Sequence, residues 1–254
     1  MELPKMPSMR LDGRRALVTG AGRGLGLACA SALAEAGAHV TLVARTGAEV
    51  EEAAAAIRAR GDQATAVALD VTDLDAVAAL LQAGEAHDIL VNNAGTNRPG
   101  PMAEATVADF DLVMGLNLRA AYFLSQAFVR RLLAGKRPGS VINMSSQMGL
   151  VGAANRTIYC ASKHAVEGLT KAMAVELAPT GIRVNSICPT FIETPMTKPF
   201  FENAAFRYAT LSKIKLGRIG SVEDVMGAVV YLASDAASLV TGSAIVVDGG
   251  WTAE

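Results

Sequence analysis

The stretch Thr19-Gly20-Ala21-Gly22-Arg23-Gly24-Leu25-Gly26 joins a short β-branched apolar run to an Ala- and Leu-rich segment of helical character, and this junction constrains the fold more than any other part of the chain. Glycines at a strand-to-helix turn let the backbone approach a pyrophosphate at a helix N-terminus, where the first N–H groups have no partner within the helix. The register departs from G-x-G-x-x-G, because Leu25 occupies the place of the last glycine. The spacing is instead Gly20-x-x-x-Gly24-x-Gly26, preceded by Thr19.

The same alternation of apolar run and helical segment repeats along the chain. Strands are expected near Arg15–Val18, Val40–Val43, Ala64–Leu69, Ile89–Val91, Ser140–Met144, Arg183–Ile187 and Ala244–Val247, with intervening segments mostly long enough for crossover helices. That order reads as a parallel sheet covered on both faces, an α/β doubly wound fold. A helix is expected over Gly47–Arg60, stopped by Gly61, and a longer one over Val107–Leu133, closed by Gly135 and Pro138. No linker, low-complexity tract or repeat divides the chain, so residues 1–254 are expected to form one domain with a short N-terminal extension, 1–10. Pro189, Pro195 and Pro199 break the rhythm between Pro189 and Lys215, amid Phe191, Phe200, Phe201, Phe206 and Tyr208. Such irregular stretches are often lids or binding loops, and the alternative is a packed surface subdomain.

A net charge of -1 gives no electrostatic footprint for nucleic acid or anionic lipid, so the expected partner is a small molecule. Cys29, Cys160 and Cys188 are scattered and form no CxxC pattern, which points away from a disulfide framework or a zinc site and fits a cytoplasmic protein. His39, His87 and His164 are equally dispersed, and no metal site is expected. The first ten residues lack the apolar region of a signal peptide, and no uninterrupted apolar run approaches a membrane span.

Two further places carry chemistry. After the second strand the chain reads Leu42-Val43-Ala44-Arg45-Thr46. A carboxylate there would bind a ribose 2′-hydroxyl, whereas a basic residue accommodates a 2′-phosphate. Ala44 in the carboxylate's place, Arg45 after it and Arg23 in the glycine turn favour NADP(H), with use of NAD(H) left open. Tyr159 and Lys163 lie four residues apart, on one face of a helix, with Ser146 thirteen residues upstream. A phenol titrates near 10, and bringing it to about 7 takes roughly 4 kcal/mol of preferential stabilisation of the phenolate. The Lys163 ammonium is the expected source.

These residues resemble the short-chain dehydrogenase/reductase family over about residues 11–251, through Thr19-Gly-x-x-x-Gly-x-Gly26, Asp70-Val71, Asn92-Asn93-Ala94-Gly95, Asn117, Ser146, Tyr159-x-x-x-Lys163 and Asp248-Gly249-Gly250. The resemblance implies a single Rossmann-like domain with a seven-stranded parallel sheet, commonly a homotetramer. It places the cofactor on Gly20, Arg23, Gly24, Leu25, Gly26 and Arg45, with Asp70 and Val71 flanking the adenine and Asn93 near its ribose. Ile192 and Thr194 would contact the nicotinamide carboxamide, and Tyr159 and Lys163 would also touch the cofactor. In the catalytic group, Ser146, preferred over Ser145, would polarise the substrate oxygen, and Tyr159 would be the general acid or base. Lys163 would lower its pKa and hold the nicotinamide ribose, and Asn117 would hold a water relaying protons from Lys163.

One departure is Pro189-Thr190 where the family usually has Pro-Gly, which bears on the geometry at the nicotinamide entrance. The implied reaction is reversible reduction of a ketone to a secondary alcohol. An enoyl reductase of the same superfamily would usually carry six residues between Tyr and Lys, where this chain has three. A non-catalytic cofactor-binding regulator would be expected to lack a member of the catalytic group. For the substrate, three classes stay open. The aromatic segment after Pro189 suits a bulky ketone. Asn97, Arg98, Gln147, Asn155 and Arg156 suit a sugar acid or polyol, and several sugar-acid dehydrogenases of the family look similar around Asn97–Pro101. Lys198, Arg207, Lys213 and Lys215 suit a 3-oxoacyl thioester on an acidic carrier.

Overall fold

The computed structural model describes residues 1–253. Seven strands, β1 Arg15–Thr19, β2 His39–Ala44, β3 Ala64–Ala68, β4 Ile89–Asn92, β5 Gly139–Met144, β6 Ile182–Pro189 and β7 Ala244–Val247, form one parallel sheet in the order β3-β2-β1-β4-β5-β6-β7. Because successive strand residues face opposite sides, each central strand supplies both cores. Ala16 and Val18 join one apolar cluster while Leu17 joins the other, and Ile89 and Val91 are divided from Leu90 in the same way. This two-sided burial is why the strands read as continuous apolar runs.

Helices α1 Gly24–Glu35, α2 Gly47–Ala59, α3 Leu74–Gln82, α4 Val107–Met114, α5 Ala121–Ala134, α6 Thr157–Leu177, α7 Lys198–Phe201, α8 Ala204–Leu211 and α9 Glu223–Ala233 complete the chain. The long helix expected over Val107–Leu133 is present as a rod of 28 residues, but it is not uniformly α-helical. A π-helical turn over Gly115–Ala120 separates α4 from α5 and carries Asn117. The rod is long and apolar enough by composition to cross a membrane, yet Leu124, Phe128 and Leu132 of α5 pack into one of the two cores.

The strand order reverses between β1 and β4, so the crevice beyond their carboxyl ends is the switch point at which open α/β sheets bind ligands. Between Pro189 and Lys215 the chain is a small packed unit and not an irregular loop. It contains α7 and α8, and Phe191 meets Phe201 at 5.9 Å and Phe206 at 5.4 Å between ring centroids, both edge-on. The prolines interrupt helix periodicity, which is why the sequence pattern reads as loop.

His87, 6% exposed, faces Thr41 Oγ1 at 2.9 Å from Nε2. Burial, helped by the Arg15 charge, pushes its pKa down to about 4. The unfolded imidazole takes up its proton near 6.5, so between those values the unfolded state binds more protons and stability rises with pH. His87 therefore withdraws up to about 3 kcal/mol as pH falls from 6.5 to 4, at about 1.36 kcal/mol per pH unit. Thermal melts across that window should show a steeper acid loss for the wild type than for His87→Gln. Parallel curves would assign the acid sensitivity elsewhere.

Candidate active site

The glycine turn is held to the sheet by β4. Thr19 Oγ1 accepts from the Asn93 and Ala94 N–H groups at 3.0 and 3.1 Å, and Asn93 Nδ2 donates to the carbonyls of Thr19 at 2.9 Å and Gly20 at 3.3 Å. Gly20 and Gly24 lie in the left-handed region, at φ +64° and +57°, where a side chain is strained. Arg23, extended at φ -162°, caps α1 without a side-chain bond, and the first turn of α1 has no acidic residue. The leading N–H groups are thus available to an anion.

The cleft above this turn has a volume of about 260 Å³ and is lined by Gly20, Arg23 to Gly26, Arg45, Asp70, Val71, Asn93 and Thr194. The structure thus brings together the cofactor residues expected at the glycine turn and the adenine side, while Ile192, Tyr159 and Lys163, also expected to touch the cofactor, line the adjoining cavity. Asn93 reaches the cleft, but its amide is engaged in bracing the turn. Asp70 accepts from Thr72 N–H at 2.9 Å and Thr72 Oγ1 at 2.8 Å, and these bonds together with the Arg45 charge hold its pKa below the usual carboxylate value. Glu49, which sequence reasoning missed, also lines the cleft and pairs with Arg23 at 3.2 Å. Its place in the first turn of α2, just beyond Arg45, was the available signal.

The cleft shares Leu25, Gly95, Thr194 and Met196 with a second cavity of about 320 Å³, which contains Ser146, Tyr159 and Lys163. Ser146 follows β5 and caps a short 3-10 turn. Its Oγ accepts from Met148 N–H at 3.1 Å and donates to Gln147 Oε1 at 2.9 Å. Tyr159 and Lys163 project from the first turns of α6. The ammonium lies 5.6 Å from the Tyr159 ring centroid and donates to the Met144 carbonyl at 2.8 Å.

The expectation that Lys163 depresses the Tyr159 pKa is not met. Burial pushes the phenol up to about 12, and the groups that pull it down are the Ser146 hydroxyl and the Arg156 charge. Lys163 is itself pushed down to about 8 by burial, against the charges of Cys188 and Glu167. Spacing brings the two side chains together, but desolvation disfavours the charged form of each. Glu167, one turn beyond Lys163 on α6 and 5% exposed, accepts from Ser186 Oγ at 2.9 Å and Cys188 Sγ at 3.3 Å. It too was missed, although the i, i+4 spacing from Lys163 was visible.

Asn117 does not reach Lys163 through its side chain. Its Oδ1 accepts from Thr96 N–H at 2.8 Å, and its Nδ2 donates to the Thr96 carbonyl at 2.9 Å and to Ser162 Oγ at 3.0 Å. The amide is engaged in fixing the loop after β4 against α6, so a relay through Asn117 would have to use its main-chain carbonyl. Thr190, the departure from Pro-Gly, is accommodated without a left-handed backbone, and its N–H donates to the Val247 carbonyl at 3.1 Å. Its side chain lines the second cavity.

A family model described as enoyl-(acyl carrier protein) reductase matches residues 20–252. L-xylulose reductase of Bos taurus is 41% identical over 96% of this chain and 99% of its own, and galactitol 2-dehydrogenase of Rhizobium johnstonii is 44% identical over 96% of each. Among solved structures, a putative 2-deoxy-D-gluconate 3-dehydrogenase from Agrobacterium tumefaciens with bound NADP superposes with a TM-score of 0.92, at 44% identity over 97% of this chain and 99% of that one. A parallel sheet that opens at its switch point onto a half-buried phenol beside a buried hydroxyl and ammonium, together with relatives of this kind, marks the chain as an oxidoreductase acting on CH–OH and C=O groups. It belongs to the short-chain dehydrogenase/reductase family.

Proposed function

We propose that the protein uses NADP(H) to interconvert a ketone and a secondary alcohol, with Ser146, Tyr159 and Lys163 as its catalytic residues. The observation that carries this reading is the continuity between the dinucleotide cleft and the cavity holding those three side chains, which meet at Leu25 and Thr194. When bound, the cofactor supplies the hydride. The chain supplies orientation, hydrogen bonds to the substrate oxygen and a proton. In reduction the carbonyl carbon receives the hydride and its oxygen receives the Tyr159 proton, so that ketone, NADPH and one proton give alcohol and NADP+. Tyr159, protonated at neutral pH because burial raises it, is matched to the acid role. Lys163 provides a donor beside it.

Arg45 and Arg23 are the groups suited to a 2′-phosphate, and the bound NADP of the Agrobacterium relative supports that choice. Arg23 would have to exchange Glu49 for the phosphate. With three residues between Tyr159 and Lys163 the spacing supports carbonyl over enoyl reduction. The exposed apolar side chains of Val107, Phe110, Leu112, Tyr122 and Phe123 along the α4–α5 rod support assembly as a homotetramer. The test is a panel of ketones and an enoyl thioester, run with NADPH and with NADH. Ketones should be reduced with NADPH preferred, and Arg45→Asp should move the NADPH/NADH ratio of kcat/KM toward NADH by about 10- to 100-fold, as expected for a lost charge-assisted contact. An unchanged ratio would sink the phosphate assignment.

A further inference from the structure

The catalytic cavity carries polar groups that carbonyl reduction does not use. Six buried side-chain atoms among the described residues lack a hydrogen-bond partner, and four of them belong to side chains lining this cavity: Asn97 Oδ1, Ser145 Oγ, Gln147 Nε2 and Thr190 Oγ1. The Ser145 hydroxyl lies toward the Cys188 thiol, whose pKa it helps to lower, which leaves three. Buried polar atoms are nearly always paired in folded proteins, so three unpaired atoms on residues that line one cavity are suited to a polar, hydroxylated ligand. Gln147 is 1% exposed and is anchored through its Oε1 to Ser146. Its amide nitrogen is therefore held in place beside the catalytic hydroxyl. Thr190 supplies a hydroxyl where the resembling family usually has glycine.

The charges of the cavity are equally one-sided. Arg98, Arg156 and Lys163 line it, and among the described residues no Asp or Glu does. Lys163 is directed at the Met144 carbonyl, and Arg98 lies 3.8 Å from Asp109. Arg156 has no ion pair among the described residues. It donates only to its neighbour's carbonyl, Asn155 O, at 3.0 Å, while its guanidinium lies over the Phe200 ring at 5.6 Å from the centroid. Burial pushes its pKa below the ordinary value, and its charge reaches Tyr159. A partly desolvated guanidinium stacked on an aromatic face and facing a cavity without carboxylates is suited to an anionic partner, and its planar fork matches a carboxylate.

We propose, resting on the carbonyl-reductase reading of this site, that the substrate is a polyhydroxylated carboxylate, a sugar acid in its keto and hydroxy forms. Arg156 takes the carboxylate, and Ser146 and Tyr159 take the reacting oxygen. Asn97 Oδ1 accepts from a substrate hydroxyl, Gln147 Nε2 donates to one, and the Thr190 hydroxyl does either. A neutral ketose would satisfy the three orphans and leave Arg156 unpaired. A 3-oxoacyl thioester would leave the orphans unpaired.

The experiment compares kcat/KM for keto-aldonates, for neutral ketoses of the same chain length, for a 3-oxoacyl thioester and for an unhydroxylated diketone, all with NADPH. The wild type should favour the keto-aldonates over the ketoses by about 10- to 100-fold, the range of a charge-assisted contact. Arg156→Gln should collapse that preference mainly through KM for the acid, and Arg156→Lys should restore part of it. Thr190→Val, which keeps the branched shape, should raise KM for hydroxylated substrates more than for the diketone. Equal efficiency on acids and ketoses, preference for the thioester, or an acid preference that survives in Arg156→Gln would overturn the proposal. Turnover of the diketone that depends on Tyr159 would keep the carbonyl-reductase reading even then, whereas no turnover of any carbonyl compound would remove both.

Discussion

Tyr159→Phe is expected to lower kcat for carbonyl reduction by about 10²- to 10⁴-fold, the range that a positioned general acid contributes, while the NADPH dissociation constant stays within about threefold. The substitution removes one hydroxyl and keeps the ring, so the packing of α6 on the sheet is preserved. What is lost is the hydroxyl, with its proton and its contact to Ser146. Because burial raises the phenol to about 12, the wild-type side chain is protonated throughout the neutral range, and ketone reduction should be nearly independent of pH there as far as Tyr159 is concerned. Alcohol oxidation needs the phenolate, which is scarce below that value, so the oxidative rate should climb as pH rises. The sign follows from the direction of the shift: a raised acid is a ready donor and a reluctant base. Single-turnover reduction by Tyr159→Phe, measured beside an NADPH fluorescence titration, checks the assignment. A variant with near-wild-type turnover on a substrate of the parent would remove Tyr159 from its role.

The sequence carried the frame of the site further than its electrostatics. All seven strands lie within a residue or two of where the apolar runs put them, because central strands covered on both faces are predominantly apolar. The Ser146, Tyr159 and Lys163 side chains meet in one cavity because spacing along α6 and the end of β5 is a matter of backbone geometry. What spacing does not contain is burial. The i, i+4 rule puts an ammonium beside the phenol and so suggests a lowered pKa, yet both groups are desolvated, and desolvation acts on each in the opposite direction. The π-helical turn at Gly115–Ala120 was equally illegible. It leaves helical periodicity almost intact and becomes visible only when Asn117 is seen bonded to Thr96 and Ser162. The aromatic segment after Pro189 was legible only in part: it lines the catalytic cavity through Phe191 and Phe200, but Pro199 sits in the first turn of a short helix, and rings of α7 and α8 pack on Phe191.

Gly26→Ala is the second change expected to have a large effect, and its cause differs from that at Gly20 and Gly24. Gly26 has no left-handed backbone, so alanine meets no conformational penalty there. The obstacle is space. A Cβ on Gly26 would collide with the Gly20 carbonyl oxygen and lie 2.5 Å from Asn93 Nδ2. Neither neighbour can move freely, because the first is backbone at the turn and the second is the brace that bonds the turn to β4. Relief requires α1 to shift away from the sheet or Asn93 to abandon the Thr19 and Gly20 carbonyls, and either displaces the N–H groups that face the pyrophosphate site.

Overpacking of this kind costs about 1–3 kcal/mol, which for a chain of this size lowers Tm by about 2–10 °C. A misplacement of about 1 Å at a positioned site costs on the order of 100-fold in function, so NADPH affinity should fall by a similar factor. Gly22→Ala provides the comparison within the same turn. Its Cβ would meet Glu49 Cβ at 3.2 Å and Oε2 at 3.4 Å, a half-exposed side chain able to yield, so its Tm and NADPH affinity should change much less. Calorimetry and fluorescence titration of the two variants separate the cases. If Gly26→Ala bound NADPH as tightly as Gly22→Ala does, the close approach of α1 to the turn would not be what fixes the cofactor.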